Sequence, residues 1–444
     1  PPEARNNSTQ PNIVFILADD MGWGDLACYG REDVRTPNID SLARDGVRFT
    51  NSYSSSATCS PTRVSLMTGQ YHGRFPAGLD EPIPIISDAG LEVGVPTLPN
   101  SLKKLGYQTS LVGKWHLGSL DKYSPLKHGY DHFWGFRGGA VDYFTHDFKF
   151  VRGDVPTSRP DLWDGDTRVE ETGYLTNLIG DRSVNELTRM ASSEAPFFLS
   201  VHFTAPHWPW EDENDEQAAQ KIRHTFHSDG GTQAKYASMI GAMDRNVGEI
   251  LNALKRSGHE KSTIVIFTSD NGGERFSKIW PFTGMKGELL EGGIRTPLLV
   301  RWPGTTPKGV THDTVASTMD WFPTLLSAAG MPREQQPPND GIDLGLVMSG
   351  APDLERSVFW RHRAHGQAAV RRGKWKYLKI AGSEFLFDIE ADPQERGNLK
   401  SHYPDVFEEL KNQWAAWNTE MLSYPDDSSS VDNCSHRFYP DRYC

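Results

Sequence analysis

The chain has 444 residues, of which 37% are hydrophobic, 23% charged and 11% aromatic; this is the make-up of an ordered globular protein, with room for one large domain and a smaller companion. A formal net charge of -12 excludes a general nucleic-acid surface, which needs a clustered basic excess to neutralise phosphates. No stretch approaches the ~18 consecutive apolar residues of a membrane span.

Four short runs, residues 13–18, 109–112, 197–203 and 264–268, are mainly apolar, without charged-residue alternation, and rich in β-branched or aromatic side chains. They predict strands of a parallel sheet buried on both faces. Helices are predicted between them at 40–45, 61–71, 100–105 and 235–256, the last with Met239, Met243, Val247, Ile250 and Leu251 along one face. Strand alternating with helix gives an α/β layered fold. Past Gly350 the pattern changes to short strands at 368–371, 375–378 and 385–388, separated by Arg372-Gly373 and Ala381-Gly382-Ser383, which reads as an antiparallel sheet. A closing helix carries Phe407, Leu410, Trp414, Trp417 and Met421 at spacings of three and four, an apolar stripe that packs on the core. The chain therefore divides into a large domain, 1–350, a smaller subdomain, 351–433, and a tail, 434–444. Cys434 and Cys444 bracket that polar tail as a small disulfide loop would. The start, Pro1-Pro2-Glu3-Ala4-Arg5, carries no apolar targeting segment and fits a trimmed chain.

Polar residues stand at the end of each predicted strand. Asp19 and Asp20 come after the first run, Lys114 and His116 after the second, His207 after the third, and Asp270 and Asn271 after the fourth. Ligand sites in open α/β sheets form beyond the carboxyl ends of the strands, so four strands deliver these groups to one edge. Asp19, Asp20, Asp270 and Asn271 are hard oxygen donors without histidine, a set that suits calcium or magnesium over zinc. Either Asp pair alone could instead cap a helix, but both succeed buried strands, where uncompensated charge is costly. Cys59 stands just before a predicted helix start, with Ser60 in a capping position and Pro61 in the first turn. Such a place favours a bound anion or a depressed thiol pKa, and is equally open to a structural cysteine.

The segment Cys59-Ser60-Pro61-Thr62-Arg63, with Leu66, Thr68-Gly69 and Arg74 after it, matches the Cys-x-Pro-Ser/Thr-Arg signature of a known enzyme family. Asp19-Asp20-Met21-Gly22, Gly113-Lys114-Trp115-His116-Leu117-Gly118, Pro206-His207, Ser269-Asp270-Asn271-Gly272-Gly273, Gly284-Met285-Lys286-Gly287 and Glu291-Gly292-Gly293-Ile294-Arg295 accompany it in order. From residue 11 to about 399 the chain resembles the type I sulfatases of the alkaline-phosphatase-like superfamily. The resemblance implies a large, mainly parallel sheet flanked by helices, plus a smaller C-terminal α+β subdomain with an antiparallel sheet and a long helix. It implies oxidation of Cys59 to formylglycine by a dedicated maturation enzyme. It further implies one calcium ion held by Asp19, Asp20, Asp270, Asn271 and residue 59. Arg63 and Lys114 would steady the formylglycine hydrate. His116 would take a proton from its second hydroxyl, and Lys286 and His207 would grip the sulfate and assist the leaving oxygen. These roles suit a reaction that builds negative charge on sulfate oxygens, where preorganised cations lower the barrier. Arg295 matches without an assigned role.

No long apolar insertion of the kind a membrane-associated steroid sulfatase would carry is present, and a sulfated carbohydrate is the expected substrate. Trp208 and Trp210 beside His207, and Trp134 and Tyr143 after the Lys114 motif, could stack on sugar rings or pack in the loop core. Arg361 and His362, with Arg363 and His365, form a basic cluster that could meet further sulfate groups or be a solvated edge. The acidic run 211–216 reads as an exposed loop. Family habit and the Cys434 and Cys444 tail point to a periplasmic or secreted location. The competing readings are a broad arylsulfatase, a phosphate or phosphonate monoester hydrolase of the same superfamily, a non-catalytic sugar-binding relative, and a cysteine hydrolase using Cys59 with His116 or His207. The intact ligand set argues against the non-catalytic relative, and Asn271 stands where a two-zinc phosphatase would favour histidine.

Overall fold

A computed structural model describes residues 10–152, 155–223, 230–352 and 355–431. Cys434 and Cys444, and so the predicted disulfide, lie outside the described residues.

The large sheet has ten strands. In chain order they are β1 (Asn12–Ala18), β2 (Val47–Phe49), β3 (Gln108–Lys114), β4 (His132–Phe136), β5 (Trp163–Asp164), β6 (Thr167–Arg168), β7 (Phe197–His202), β8 (Thr263–Ser269), β9 (Leu298–Arg301) and β10 (Val310–His312). Their spatial order is β10-β2-β9-β8-β1-β7-β3-β4-β5-β6. The centre, β8-β1-β7-β3-β4, is parallel, and these include the four runs seen in the sequence. β9 pairs antiparallel with both β8 and β2. Strands of three or four residues leave too little sequence for a periodicity to be read, which is why β2 and β9 are not visible there.

Alternate residues of β1 face opposite layers. Val14 and Ile16 pack with α1 (Pro37–Arg44), α4 (Leu175–Ala191) and α5 (Gln233–Arg256). Ile13, Phe15 and Leu17 pack with α2 (Cys59–Thr68), α3 (Leu98–Lys104) and α6 (Trp321–Ala328). Helix α4 has no counterpart among the predicted elements, because its buried face mixes Leu175, Ile179, Leu187 and Met190 with Thr176, Gly180 and Ser183, which dilutes the apolar stripe. Gly180 is required there by close approach: a Cβ would stand 1.9 Å from Asn246 Oδ1 in α5.

The C-terminal sheet is antiparallel and runs β11 (Ser357–His362), β12 (Gln367–Arg372), β13 (Trp375–Ile380), β14 (Ser383–Asp388). Of these, β11 is absent from the predicted elements. On one face Ala368, Val370, Tyr377 and Leu386 take Phe407 and Leu410 of α7 (Pro404–Asn418). On the other, Trp360, Ala369, Leu378 and Phe387 meet Tyr53, Leu289, Leu290 and Ile294 of the large unit. That seam also buries an ionic network: Lys376 Nζ lies 2.9 Å from Glu291 Oε1 and 2.8 Å from Glu395 Oε1, and Glu291 Oε2 accepts from Tyr53 (2.7 Å) and Arg295 (3.0 Å).

Candidate active site

Parallel registry builds the site. Ala18 is the register partner of Ser269, so Asp19-Asp20 and Asp270-Asn271 leave adjacent strands side by side. Asp20 turns back sharply with φ 61°, a left-handed conformation that Asp tolerates through its short polar side chain. Its amide donates to Asp270 Oδ1 (3.2 Å), and its Oδ1 accepts from Asn271 Nδ2 (2.7 Å). Lys114, the last residue of β3, reaches Asp19 Oδ2 at 2.6 Å. From α2, Arg63 donates to Asp270 Oδ2 through Nε (3.1 Å) and Nη2 (2.9 Å), and to the Lys114 carbonyl through Nη1 (2.9 Å). Lys286 Nζ sits 2.7 Å from Asp20 Oδ2, where His207 Nε2 also lies, at 3.4 Å.

Cys59 is the first residue of α2, with Thr58 before it. The helix begins two residues earlier than the sequence suggests. Ser60 is not its cap; its hydroxyl accepts from the Ile83 amide at 2.8 Å. Cys59 Sγ lies 3.8 Å from Asp20 Oδ1, and the residue is 1% exposed. Burial pushes its thiol well above the ordinary value, against the pull of Lys114 and Lys286. This differs from the expectation of a depressed thiol pKa, because desolvation outweighs the helix start.

The electrostatics are those of a site with charges drawn close and left incompletely bonded. Burial raises Asp19 well above the carboxylate range despite Lys114. Asp20 is strongly lowered: burial would raise it, but Lys286, His207 and Lys114 together overcome that. Burial holds His207 neutral, down at about 3, while Asp20 keeps Lys286 charged against its own desolvation. Among the described residues, Asp19 Oδ1, Asn271 Oδ1, His116 Nδ1 and His202 Nε2 are buried without a hydrogen-bond partner. Buried polar atoms are rarely orphaned. Ligand atoms of Asp19, Asp20, Cys59 and His207 lie within 4.8 Å of one another. Three carboxylates and a free amide oxygen, two of their oxygens unspent, fit a hard divalent cation.

The family profile described as Sulfatase matches residues 11–331, and that described as N-sulphoglucosamine sulphohydrolase, C-terminal, matches residues 285–420. The chain belongs to the sulfatase family. This sulfatase is 33% identical to N-acetylgalactosamine-6-sulfatase of Rattus norvegicus over 387 residues, covering 82% of this chain and 71% of that one. It is 30% identical to arylsulfatase J of Mus musculus over 476 residues, covering 94% and 77%. Among solved structures, Ps i-CgsB superposes with a TM-score of 0.84 at 28% identity, covering 97% of each chain.

Several residues that the sequence singles out stand elsewhere in the sulfatase. Arg361 is buried, donating to Asn418 Oδ1 (3.2 Å) and the Leu422 carbonyl (2.7 Å). His362 is buried 3.1 Å from Glu81 Oε2. Both side chains are thus engaged inside the protein, not on the solvated edge the sequence also allowed. Trp134 and Tyr143 are core residues, bonded to Glu171 (2.9 Å) and the His207 carbonyl (2.9 Å). Glu211 is no exposed loop residue: its Oε2 accepts from the Tyr143 amide at 3.1 Å. Trp208 stays half-buried, its ring 5.1 Å from that of His207. Two further residues join the site that the sequence does not single out. His202 closes β7 inside an apolar run, with Nδ1 3.1 Å from the Lys114 carbonyl. Glu274 lies 3.5 Å from Lys286 and titrates near neutrality, raised to about 7 by burial.

Proposed function

We propose that this sulfatase releases inorganic sulfate from a sulfated carbohydrate, using a formylglycine formed from Cys59 and one Ca2+ held by Asp19, Asp20, Asp270, Asn271 and residue 59. The observation that carries the reading is the pairing of a fully buried thiol at the start of α2 with orphaned carboxylate and amide oxygens beside it. A formylglycine hydrate supplies a nucleophilic hydroxyl and a second hydroxyl whose deprotonation releases the product. Bound Ca2+ supplies Lewis-acid polarisation and orientation of sulfate oxygens.

The chain's own residues do the rest. Lys114 and Arg63 bring two cations to residue 59 and offset negative charge as it develops there. A carbonyl can only accept, so the contact of His116 Nε2 with Ile83 O, at 3.1 Å, requires the proton on Nε2. Nδ1 is left with a lone pair and accepts the proton of the second hydroxyl. For His207 the proton sits on Nδ1 for the same reason, 2.5 Å from the Trp208 carbonyl. Lys286, which stays charged, then grips the sulfate and stabilises the leaving oxygen.

A carbohydrate substrate is supported by the relatives: an N-acetylgalactosamine-6-sulfatase at 33% identity, and Ps i-CgsB seen in complex with k-i-k-neocarrahexaose at 27% identity with a TM-score of 0.82. Trp208 is the candidate to stack on a sugar ring. No described helix is long and apolar enough to cross a membrane, and we place the enzyme outside the cytoplasm, periplasmic or secreted, with a maturation enzyme as its partner. The deciding experiment compares release of sulfate from aryl sulfate, N-acetylgalactosamine 6-sulfate and k-i-k-neocarrahexaose with release of phosphate from an aryl phosphate. Mass spectrometry of the peptide spanning residue 59 accompanies it. Faster phosphate hydrolysis, or full activity with an unmodified thiol, overturns the proposal.

A further inference from the structure

His362 and Arg363 of the basic cluster hold a later segment of the chain in place. Past Met421 the chain crosses the molecule as an extended strap, residues 422–431, and lies against residues 80–83 of the large unit. The anchoring is dense. Leu422 donates to the Gly73 carbonyl (2.8 Å), and Arg363 donates to the carbonyls of Ser428 (2.7 Å) and Asp426 (2.6 Å). Glu81 forms a parallel bridge with Ser430: its amide donates to Ser429 O (2.9 Å), and its carbonyl accepts from the Val431 amide (2.8 Å). Ser429 donates through its hydroxyl to the Pro82 carbonyl (2.6 Å) and through its amide to Asp80 Oδ1 (2.8 Å).

The Glu81 side chain, fully buried, is the hub. Its Oε1 accepts from Tyr424 (2.6 Å); its Oε2 accepts from the Ser430 hydroxyl (3.0 Å) and the Arg363 amide (2.7 Å), with His362 Nδ1 at 3.1 Å. His362 Nε2 lies 3.1 Å from the Val431 carbonyl. Two residues along from this hub, Ile83 is held at its amide by Ser60, the neighbour of Cys59, and offers its carbonyl to His116 Nε2. Ile83 is therefore the last link between a surface strap and the His116 imidazole.

We propose that the strap is a positioning element for His116: its grip on Glu81 fixes the Ile83 carbonyl, and that carbonyl holds the proton of His116 on Nε2 and leaves Nδ1 free to accept. The kinetic part of this inference rests on the proton-accepting role given to His116 above; the tautomer part does not. A carbonyl displaced by even an ångström or so no longer makes a well-aligned hydrogen bond, and the two tautomers of a neutral imidazole then become comparable in population.

The test uses the full-length chain labelled with 15N-histidine. The His116 ring signals are assigned by their loss in His116→Gln, and the variants are Glu81→Ala, Glu81→Gln, and Tyr424→Phe combined with Ser430→Ala. The wild type is expected to show a single Nε2–H tautomer at His116. Glu81→Ala and the double variant should show mixed tautomers and a kcat lower by about 10- to 100-fold, the range of a misplaced proton-transfer group, with KM within about twofold. Glu81→Gln, which keeps an acceptor and the same shape, should recover most of both. Thermal melts identify any variant that fails to fold, and the double variant, which leaves Glu81 in place, then carries the test. A folded double variant with His116 still purely Nε2–H overturns the strap inference. Mixed tautomers with undiminished kcat leave the strap standing and overturn the proton-accepting role of His116.

Discussion

The cleft at the carboxyl edge of the large sheet and the seam beneath the C-terminal sheet bury the same kinds of residue and use them oppositely. In the seam, Lys376, Glu291, Glu395, Arg295 and Tyr53 answer one another within 3.0 Å, with one oxygen, Glu395 Oε1, held by the Lys376 charge and not by a hydrogen bond. In the cleft, Asp19, Asn271, His116 and His202 each keep a buried atom with no partner. A buried network that closes on itself holds two units in register, whereas one left open is a site prepared for something to enter. The distinction lies in bonding and not in composition, so substitutions should separate the two regions cleanly.

The largest effect is expected from Asp19→Asn: sulfate release should fall by at least ~10³-fold, while the melting temperature of the metal-free protein stays level or rises as one of three neighbouring carboxylate charges is removed. Loss of stability with activity retained would break the comparison. Lys376→Met should do the reverse, costing about 3–5 kcal/mol of unfolding free energy, because it strands two carboxylates. Denaturant melts measure this, and the folded fraction should keep its kcat/KM. Calcium at 100 times its Kd should stabilise the wild type by about 2.7 kcal/mol; EDTA should remove that gain together with the activity, and Asp19→Asn should show no gain. Acid gives a smaller effect. His72 and His128 are held neutral by burial, down at about 4 against 6.5 when unfolded. Between those values the unfolded chain binds more protons, so stability should fall as pH drops from 6.5 towards 4, by an amount on the order of 2–3 kcal/mol for each histidine. Melts across that range check it. Smallest of all, Trp208→Ala should raise KM for an oligosaccharide by a few-fold, about 1 kcal/mol of ring stacking, without changing kcat on an aryl sulfate.

The central sheet is legible because strands buried on both faces leave mainly apolar runs, and Asp19, Asp20, Lys114, His116, His207, Asp270 and Asn271 because they stand past the ends of such runs; Cys59, Arg63 and Lys286 follow no run and are legible only through the motifs that resemble the sulfatases. His202 obeys the same rule and escapes notice only because it sits within the run. Helix α4 is hidden by the small polar residues its packing demands. Arg361 and His362 mislead for a different reason: their partners are Asn418 and Glu81, the latter nearly three hundred residues away in sequence, and local sequence offers no way to tell a basic pair aimed at solvent from one aimed at a buried carboxylate.

The burial of Cys59 also sets a clock. A side chain that is 1% exposed, walled by α2 and by strand ends brought together from positions 250 apart, is beyond the reach of any macromolecular catalyst once the sheet has closed. The chain offers residue 59 only while β1 still waits for β7 and β8, which are made much later. Pairing over such sequence distances is slow, and on the proposed formylglycine reading the interval it opens is the time in which residue 59 would be converted. Variants that hasten closure of the sheet would thus yield a well-folded protein with a larger share of untouched thiol.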